Sequence, residues 1–211
     1  DPPPAPQPAA APQKPAAQPG PAAPTAAEAK ARASLRTRVL SRPAIAAHAA
    51  VEKATRLPDG GERYEILKEL GRGGMAVVYR ARDRILGRIV ALKFVVVDPD
   101  QPADMLELFY REARAAAALN HPAIVTIYDL GAIGGRPFIS MELVDGEDLL
   151  QLTGRCGPLG IGEAIWVAVQ AAAALDFAHS RGVVHRDIKP GNLMVSTEGA
   201  LKVMDFGLAL L

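Results

Sequence analysis

The chain has 211 residues, and its 24 Lys and Arg nearly balance its 23 Asp and Glu, so charge gives no reason to expect a nucleic acid or an anionic membrane as a partner. A hydrophobic fraction of 49% excludes a wholly disordered chain. The single cysteine, Cys156, excludes an internal disulfide framework and a cysteine-rich zinc site, and it fits a reducing, cytoplasmic environment.

The first sixty residues differ in composition from the remainder. Ten of the 18 prolines lie in residues 1–24, and no aromatic residue occurs before Tyr64. Such a segment buries too little apolar surface to offset its ordering entropy, so we predict a disordered Pro/Ala-rich linker over residues 1–60. Within it, residues 25–40 favour a basic helix that is marginal alone because its apolar stripe is thin. The P-x-x-P spacings can mark a ligand for an aromatic-grooved module, although a stiff linker is the simpler interpretation.

Secondary-structure patterns begin after a turn signal at residues 58–61 and indicate one domain over residues 61–211. The predicted strands are residues 64–70, 77–81, 89–97, 124–130 and 137–143, with a helix at residues 102–120 inserted after the third. A short helix at 147–152, a long helix at 161–180 and a hairpin from 193–195 and 201–204 follow. This order predicts an α+β fold of two lobes. The long helix contains Gln170 and Asp176, so we predict a buried helix and no membrane span in this chain.

A glycine-rich loop, Leu-Gly-Arg-Gly-Gly-Met-Ala-Val-Val at residues 70–78, separates the first two strands. Its backbone N–H groups can cradle phosphate oxygens, although an ordinary hairpin turn has the same appearance. Lys93 interrupts a nearly continuous apolar strand, and a buried lysine needs an anion. That anion can be a phosphate held by the loop or Glu112 on the inserted helix. Alternatively, Lys93 extends from an edge strand to water and Glu112 is a solvated helix charge.

Two later motifs carry further chemistry. Residues 185–192, His-Arg-Asp-Ile-Lys-Pro-Gly-Asn, place an acid, a cation and an amide close together. Asp187 can accept a hydroxyl proton, Lys189 can hold a transferring phosphate, and Asn192 offers an oxygen to Mg²⁺. Asp205 begins an Asp-Phe-Gly tripeptide after an apolar strand, and its carboxylate can bind a metal.

In this order the motifs resemble those of the eukaryotic-like, bacterial-type serine/threonine protein kinases. The resemblance covers residues 63–211 and implies the two-lobe kinase fold. Residues 63–143 form an N-lobe with a five-stranded antiparallel sheet and one helix, and residues 144–211 form an incomplete helical C-lobe. Lys189 and Pro190 are similar to the Ser/Thr-specific branch of the family.

The resemblance implies ATP and Mg²⁺ as ligands and proteins with Ser or Thr hydroxyls as substrates. The implied catalytic residues are the base Asp187, the γ-phosphate contact Lys189, the α- and β-phosphate contact Lys93 and its partner Glu112. The implied Mg²⁺ ligands are Asn192 and Asp205. The implied nucleotide-binding residues, which include a gatekeeper at 141 and hinge backbone groups at 142 and 144, are Leu70, Gly71, Arg72, Gly73, Gly74, Met75, Ala76, Val77, Val78, Ala91, Lys93, Met141, Glu142, Val144 and Met194.

The sequence departs from the family pattern in two places. Ala76 stands where a third loop glycine is usual, and we expect a slightly stiffer loop that still binds ATP. The resemblance stops four residues after Gly207, so we expect a fragment without full activity, whose parent can carry a membrane anchor elsewhere. We also expect Ile165, Trp166, Val169 and Leu175 on the long helix to lack some of their packing partners, which leaves an apolar patch. One alternative is a pseudokinase, a nucleotide-binding or scaffolding module without transfer, and the complete catalytic set argues against it. Another alternative is an interaction protein that works through its Pro-rich tail.

Overall fold

The computed structural model describes residues 24–41, 61–73, 76–95 and 103–206, apart from the side chains of residues 103–106. Within these residues the α-helices are Ala26–Leu40 (α1), Ala103–Ala117 (α2), Leu149–Cys156 (α3) and Ile161–His179 (α4). The strands are Tyr64–Arg72 (β1), Ala76–Asp83 (β2), Arg88–Val95 (β3), Ile127–Ile133 (β4), Arg136–Glu142 (β5), Gly146–Asp148 (β6), Leu193–Ser196 (β7) and Leu201–Val203 (β8). The P-x-x-P tract lies almost wholly outside the described residues, so its role stays a prediction.

The N-lobe is an antiparallel sheet with strand order β1-β2-β3-β5-β4, which confirms the predicted five-stranded arrangement. The central strand β3 is apolar on both faces because both are covered. Val90, Leu92 and Phe94 pack into one core cluster, and Ala91 packs into another on the side of α2. Because side chains alternate along a strand, Lys93 lies on the same face as Ala91.

Two predicted elements are wrong at their starts. The fourth strand begins at Ile127, three residues late, because Ile124 forms a single parallel bridge with Val203 instead. The short helix α3 begins at Leu149, two residues late, because Gly146–Asp148 pairs with β7 as strand β6. Both differences arise from pairing with residues far along the chain, which no local pattern shows.

The long helix α4 is a core element of the C-lobe. Ala174 is fully buried, Trp166 is 7% exposed and Leu175 packs against the same core cluster, so the expectation of missing partners is wrong for Trp166 and Leu175. Ile161, Ile165 and Val169 recur every four residues and form an exposed apolar stripe. Within the described residues, α4 is the one helix with the length and hydropathy that a membrane span requires. Its buried side chains pack against the C-lobe hairpin and α1.

Helix α1 packs against α4 and the β7–β8 hairpin of the C-lobe. Ala31, Leu35 and Val39 recur every four residues along α1, and all three are buried. Thr25 and Glu28 form a reciprocal capping box at its start, with N···O distances of 3.3 and 2.7 Å. The predicted disordered linker is therefore wrong for α1, because tertiary packing stabilises a helix that is marginal alone.

Candidate active site

A cleft of about 690 Å³ lies between the two lobes, within the range of small-molecule sites. It brings together nine of the described residues that the resemblance assigned to the nucleotide, which are Leu70, Gly71, Val78, Ala91, Lys93, Met141, Glu142, Val144 and Met194. Asp205, which the resemblance assigned to Mg²⁺, also lines the cleft. The predicted site residues that are described but do not line it are Arg72, Gly73, Ala76, Val77, Glu112, Asp187, Lys189 and Asn192. Residues that sequence reasoning did not single out also line the cleft, namely Lys68, Glu69, Leu143, Gly146, Glu147, Asp148, Gln151, Gly191 and Met204.

The glycine-rich loop joins β1 to β2 above this cleft. Arg72 pairs across the two strands with Val77, and its guanidinium donates to Glu69 at 2.7 and 3.1 Å. The Gly73 N–H donates to the carbonyl of Ala76 at 2.9 Å, which closes the base of the loop. The predicted phosphate contacts Gly74 and Met75 lie outside the described residues.

The anion beside Lys93 is the carboxylate of Asp205. Lys93 Nζ lies 2.7 Å from Asp205 Oδ1, and the two side chains are 14% and 30% exposed. The pair crosses the cleft, since Lys93 belongs to β3 of the N-lobe and Asp205 follows β8 of the C-lobe. Lys93 is thus a partly buried cation with an anionic partner, as its apolar strand requires.

The predicted pairing of Glu112 with Lys93 is not what the structure has. Glu112 Oε2 accepts a hydrogen bond from Arg186 Nη1 at 3.3 Å, and Arg111 lies 3.7 Å from Oε1.

Arg186 adopts a positive φ of 66°, and Asp205 adopts one of 60°. Within the described residues they are the two non-glycine positions with this strained backbone, which concentrates at functional sites.

His185 fixes the relative position of the two catalytic motifs. Its ring is 1% exposed, and Nε2 lies 2.7 Å from the carbonyl oxygen of Met204. Nδ1 accepts the backbone N–H of Asp187 at 3.2 Å. The ring therefore bridges residues 185–192 to the segment before Asp205.

Asp187 lies at the centre of a charge-assisted network. Lys189 Nζ donates to Asp187 Oδ2 at 2.6 Å, and Asn192 Nδ2 donates to the same oxygen at 3.0 Å and to the Asp187 carbonyl at 2.8 Å. The Lys189 ammonium, followed by the Asn192 amide, lowers the pKa of Asp187 below its ordinary value. The carboxylate is therefore ionised near neutral pH and can accept a proton.

The side-chain oxygens of Asn192 and Asp205 suit a hard cation that also binds phosphate. The Met204 N–H donates to the carbonyl of Asn192 at 2.9 Å, which holds Asn192 beside the segment that ends in Asp205. Among the described residues no cluster of three His, Cys, Asp or Glu side chains could hold a metal. One carboxylate and one amide oxygen fit Mg²⁺, which keeps several waters and takes its other ligands from phosphates.

The segment after β5 forms the back of the cleft. The Glu142 N–H donates to Thr126 O at 2.8 Å, so its backbone can offer an adenine edge its carbonyl but not its amide. The Glu142 carboxylate pairs with Lys202 at 2.8 Å. Val144 lines the cleft two residues further on.

The protein kinase domain family matches residues 64–211. The chain belongs to the protein kinase family. The kinase domain is 46% identical over 149 residues to the probable serine/threonine-protein kinase PknB of Lactococcus lactis, covering 70% of this chain and 24% of that protein. It is 45% identical over 159 residues to PknB of Mycobacterium leprae, covering 74% of this chain and 26% of that one. The chain thus spans about a quarter of these relatives.

Solved structures give the same family. One structure of the PknI kinase domain of Mycobacterium tuberculosis has a TM-score of 0.65 and 32% identity, covering 72% of this chain and 63% of that one. Another structure of the same kinase domain has a TM-score of 0.64, also at 32% identity, covering 70% and 59%. The two-lobe kinase fold of residues 64–206 is therefore shared with known kinase domains.

The functional contacts that sequence reasoning missed are long-range. The Arg186–Glu112 pair joins residues 74 positions apart, and the His185 bridge to Met204 joins residues 19 apart. The charge of Arg186 was visible in the sequence, but the sequence did not show which carboxylate it meets. The cleft residues 147, 148 and 151 were hidden by the assumption of a helix starting at 147.

Proposed function

We propose that this kinase domain binds Mg-ATP in the interlobe cleft and transfers the γ-phosphate to Ser or Thr hydroxyls of proteins. The observation that carries the proposal is that the Lys189–Asp187–Asn192 network is joined to the Lys93–Asp205 pair at Met204, the residue before Asp205, which bonds to both His185 and Asn192. A base, a cation for the transferring phosphate and hard oxygens for a metal meet there. Phosphoryl transfer needs little else, because its catalysis is mainly positioning and charge neutralisation.

The adenine and phosphate contacts follow from the cleft walls. Val78 and Ala91 from the N-lobe and Met194 from the C-lobe would enclose the adenine ring, with Met141 at the back. Lys93 would exchange its bond to Asp205 for oxygens of the α- and β-phosphates. The loop over residues 70–78 would cover the phosphates with its backbone N–H groups.

The catalytic loop, residues 185–192, would carry out the proton transfer. Asp187, kept ionised by Lys189, would accept the proton of the attacking hydroxyl while Lys189 neutralises the γ-phosphate. Asn192 and Asp205 would hold Mg²⁺, which neutralises phosphate charge when bound. We also propose a cytoplasmic location, which supplies ATP and suits the single reduced cysteine.

The test is phosphoryl transfer by the full-length protein carrying Asp187→Asn. Labelled ATP and a Ser/Thr-containing acceptor protein supply the assay, and loss of the base should lower kcat by about 10²–10⁴-fold. Asp176→Asn, on the exposed side of α4, is the matched control and should keep its activity.

ATP affinity separates the proposed enzyme from its alternatives. Asp187→Asn should bind ATP about as tightly as the native protein, because Asp187 lies beside the transferring phosphate and not the adenine. ATP binding with no transfer by the native protein would instead indicate a nucleotide-binding scaffold. Transfer that is unaffected by Asp187→Asn would contradict the assigned base.

A further inference from the structure

Helix α1 holds a buried carboxylate of the C-lobe. Glu163, in the first turn of α4, is 6% exposed. Ser34 Oγ donates to Glu163 Oε1 at 2.8 Å, and Arg38 Nη1 donates to Oε2 at 3.2 Å. Within the described part of the chain, the remaining donor to this carboxylate is the Gly160 N–H at 2.8 Å. Two of its three donors therefore come from α1.

The same end of α1 makes three further polar contacts with the C-lobe. Arg38 donates to the Gly157 carbonyl from Nη2 at 2.6 Å and to the Pro158 carbonyl from Nη1 at 3.2 Å. Arg155 Nη2 donates to the Arg38 carbonyl at 2.9 Å. The apolar contact of α1 rests on three side chains, two of them small or β-branched. A helix held by so short a stripe depends strongly on its polar clamp.

We propose that Ser34 is a phosphorylation site of this chain and that a phosphate on it releases α1 from the C-lobe. The inference rests on the kinase activity proposed above, with a copy of this chain as the enzyme. Ser34 is exposed in the docked helix, and its hydroxyl is the group that touches Glu163. Lys30, Arg36 and Arg38 surround it in sequence, so a phosphate there has cations within one turn.

The transfer step is an ordinary phosphorylation. Ser34 Oγ forms a bond to the γ-phosphorus as the bond to the β,γ-bridging oxygen breaks. ADP leaves with the bonding electron pair, and the hydroxyl proton passes to Asp187. The product carries a charge of about −1.5 to −2 at pH 7 where Ser34 previously donated a hydrogen bond.

That phosphate breaks the clamp in two ways. It removes the Ser34 donor and sets a dianion against the Glu163 carboxylate. It also competes for Arg38, which lies one turn along α1 and has a buried Nε without a partner among the described residues. Glu163 would keep only the Gly160 N–H, and an uncompensated buried carboxylate disfavours the docked state.

Hydrogen–deuterium exchange on the full-length protein tests the release. Ser34→Glu should speed exchange across Ala26–Leu40 by about tenfold or more, because undocking exposes a helix that is marginal alone. Thr37→Glu is the matched control, because it adds the same charge to the same helix. Within the described part of the chain, Thr37 Oγ1 bonds only to its own helix, at the Ala33 carbonyl 3.0 Å away. Equal exchange in the two variants would overturn the proposal.

A second variant shows whether repulsion at Glu163 is the cause. Adding Glu163→Gln to Ser34→Glu removes the opposing charge, so exchange in α1 should return to within about threefold of the native rate. Failure to return would mean that α1 is lost for another reason, and the proposed mechanism would be wrong.

Incubation with Mg-ATP followed by phosphopeptide mapping tests the site itself. Phosphate on Ser34, together with faster exchange of α1 in the modified molecules, is the expected result. Transfer to other hydroxyls with none on Ser34 would overturn this inference and leave the proposed kinase activity standing. No transfer to any acceptor would overturn both.

Discussion

At the scale of single residues, His185 joins the catalytic loop to the segment before Asp205 through Met204 O and the Asp187 N–H. His185→Ala would leave both part-buried backbone groups without this partner, at a cost of up to about 1–3 kcal/mol each. We expect a lower free energy of unfolding in denaturant titration and a fall in kcat, because both carboxylates lose their support. His179→Ala, at the exposed end of α4, is the control. Equal stability of the two variants would show that the bridge is unimportant.

The titration of Asp187 gives a second residue-scale prediction. Lys189 is the largest cause of its lowered pKa, so Lys189→Ala should raise that pKa toward the ordinary value. The sign is fixed: removing a neighbouring cation disfavours the carboxylate, which then binds its proton at higher pH. An NMR titration of the Asp187 carboxyl carbon measures this. Lys202→Ala, whose ammonium pairs with Glu142, should leave the titration unchanged.

At the scale of elements, β6 is an edge strand of the three-stranded C-lobe sheet and admits no side chain at Gly146. A Cβ at Gly146 would lie 2.2 Å from Val195 O and 2.8 Å from the Ser196 Cα, so backbone must move. Gly146→Ala should cost about 1–3 kcal/mol in denaturant titration. Gly154→Ala, where a Cβ in α3 meets nothing within 4 Å, should stabilise by about 0.5–1 kcal/mol. Effects of the same sign would contradict the observed β6–β7 pairing.

The docking of α1 is testable through its buried leucine. Leu35 is 0% exposed and Leu40 is 55% exposed on the same helix. Leu35→Ala should lower the free energy of unfolding by about 2–5 kcal/mol, because it leaves a cavity against the C-lobe. Leu40→Ala should change it by less than about 0.5 kcal/mol. A Leu35→Ala protein as stable as Leu40→Ala would mean that α1 is not part of the folded domain.

The same elements show what the sequence could and could not predict. The nearly continuous apolar run of β3 and the length of α4 are local patterns, and they predicted elements of the two lobes. The order of the motifs carried the resemblance, which implied ten of the 19 residues that line the cleft. The strand β6 could not be predicted, because Glu147 pairs with Val195 far along the chain. Nor could the docking of α1, whose apolar stripe is visible in the sequence although the surface that covers it is not. The partner of Glu112 depends on tertiary geometry that places Arg186, and not Lys93, beside it.

At the scale of the whole molecule, the Lys93–Asp205 ion pair joins the two lobes, and a bound nucleotide would replace it with contacts from Lys93 to phosphate. Mg-ATP at about 100 times its Kd should stabilise the folded protein by roughly 2.7 kcal/mol, seen as a Tm rise of about 5–10 °C. Lys93→Ala should abolish most of that rise at the same ATP concentration, because the N-lobe loses its phosphate contact. Lys30→Ala, on α1 and outside the cleft, should retain it. An undiminished rise in Lys93→Ala would place the nucleotide elsewhere.

Because α1 packs on the C-lobe, the connection from α1 to β1 is a second chain segment that links the two lobes. The polypeptide leaves α1 on the C-lobe and enters β1 of the N-lobe after residues 42–60, in addition to passing through the segment that follows β5. A connection of that length reaches at most about 65 Å, so a released α1 stays within that distance of β1. It would therefore remain attached to the molecule that carries its C-lobe surface. Rebinding is then intramolecular, and the occupancy of that surface is independent of the protein concentration in the cell.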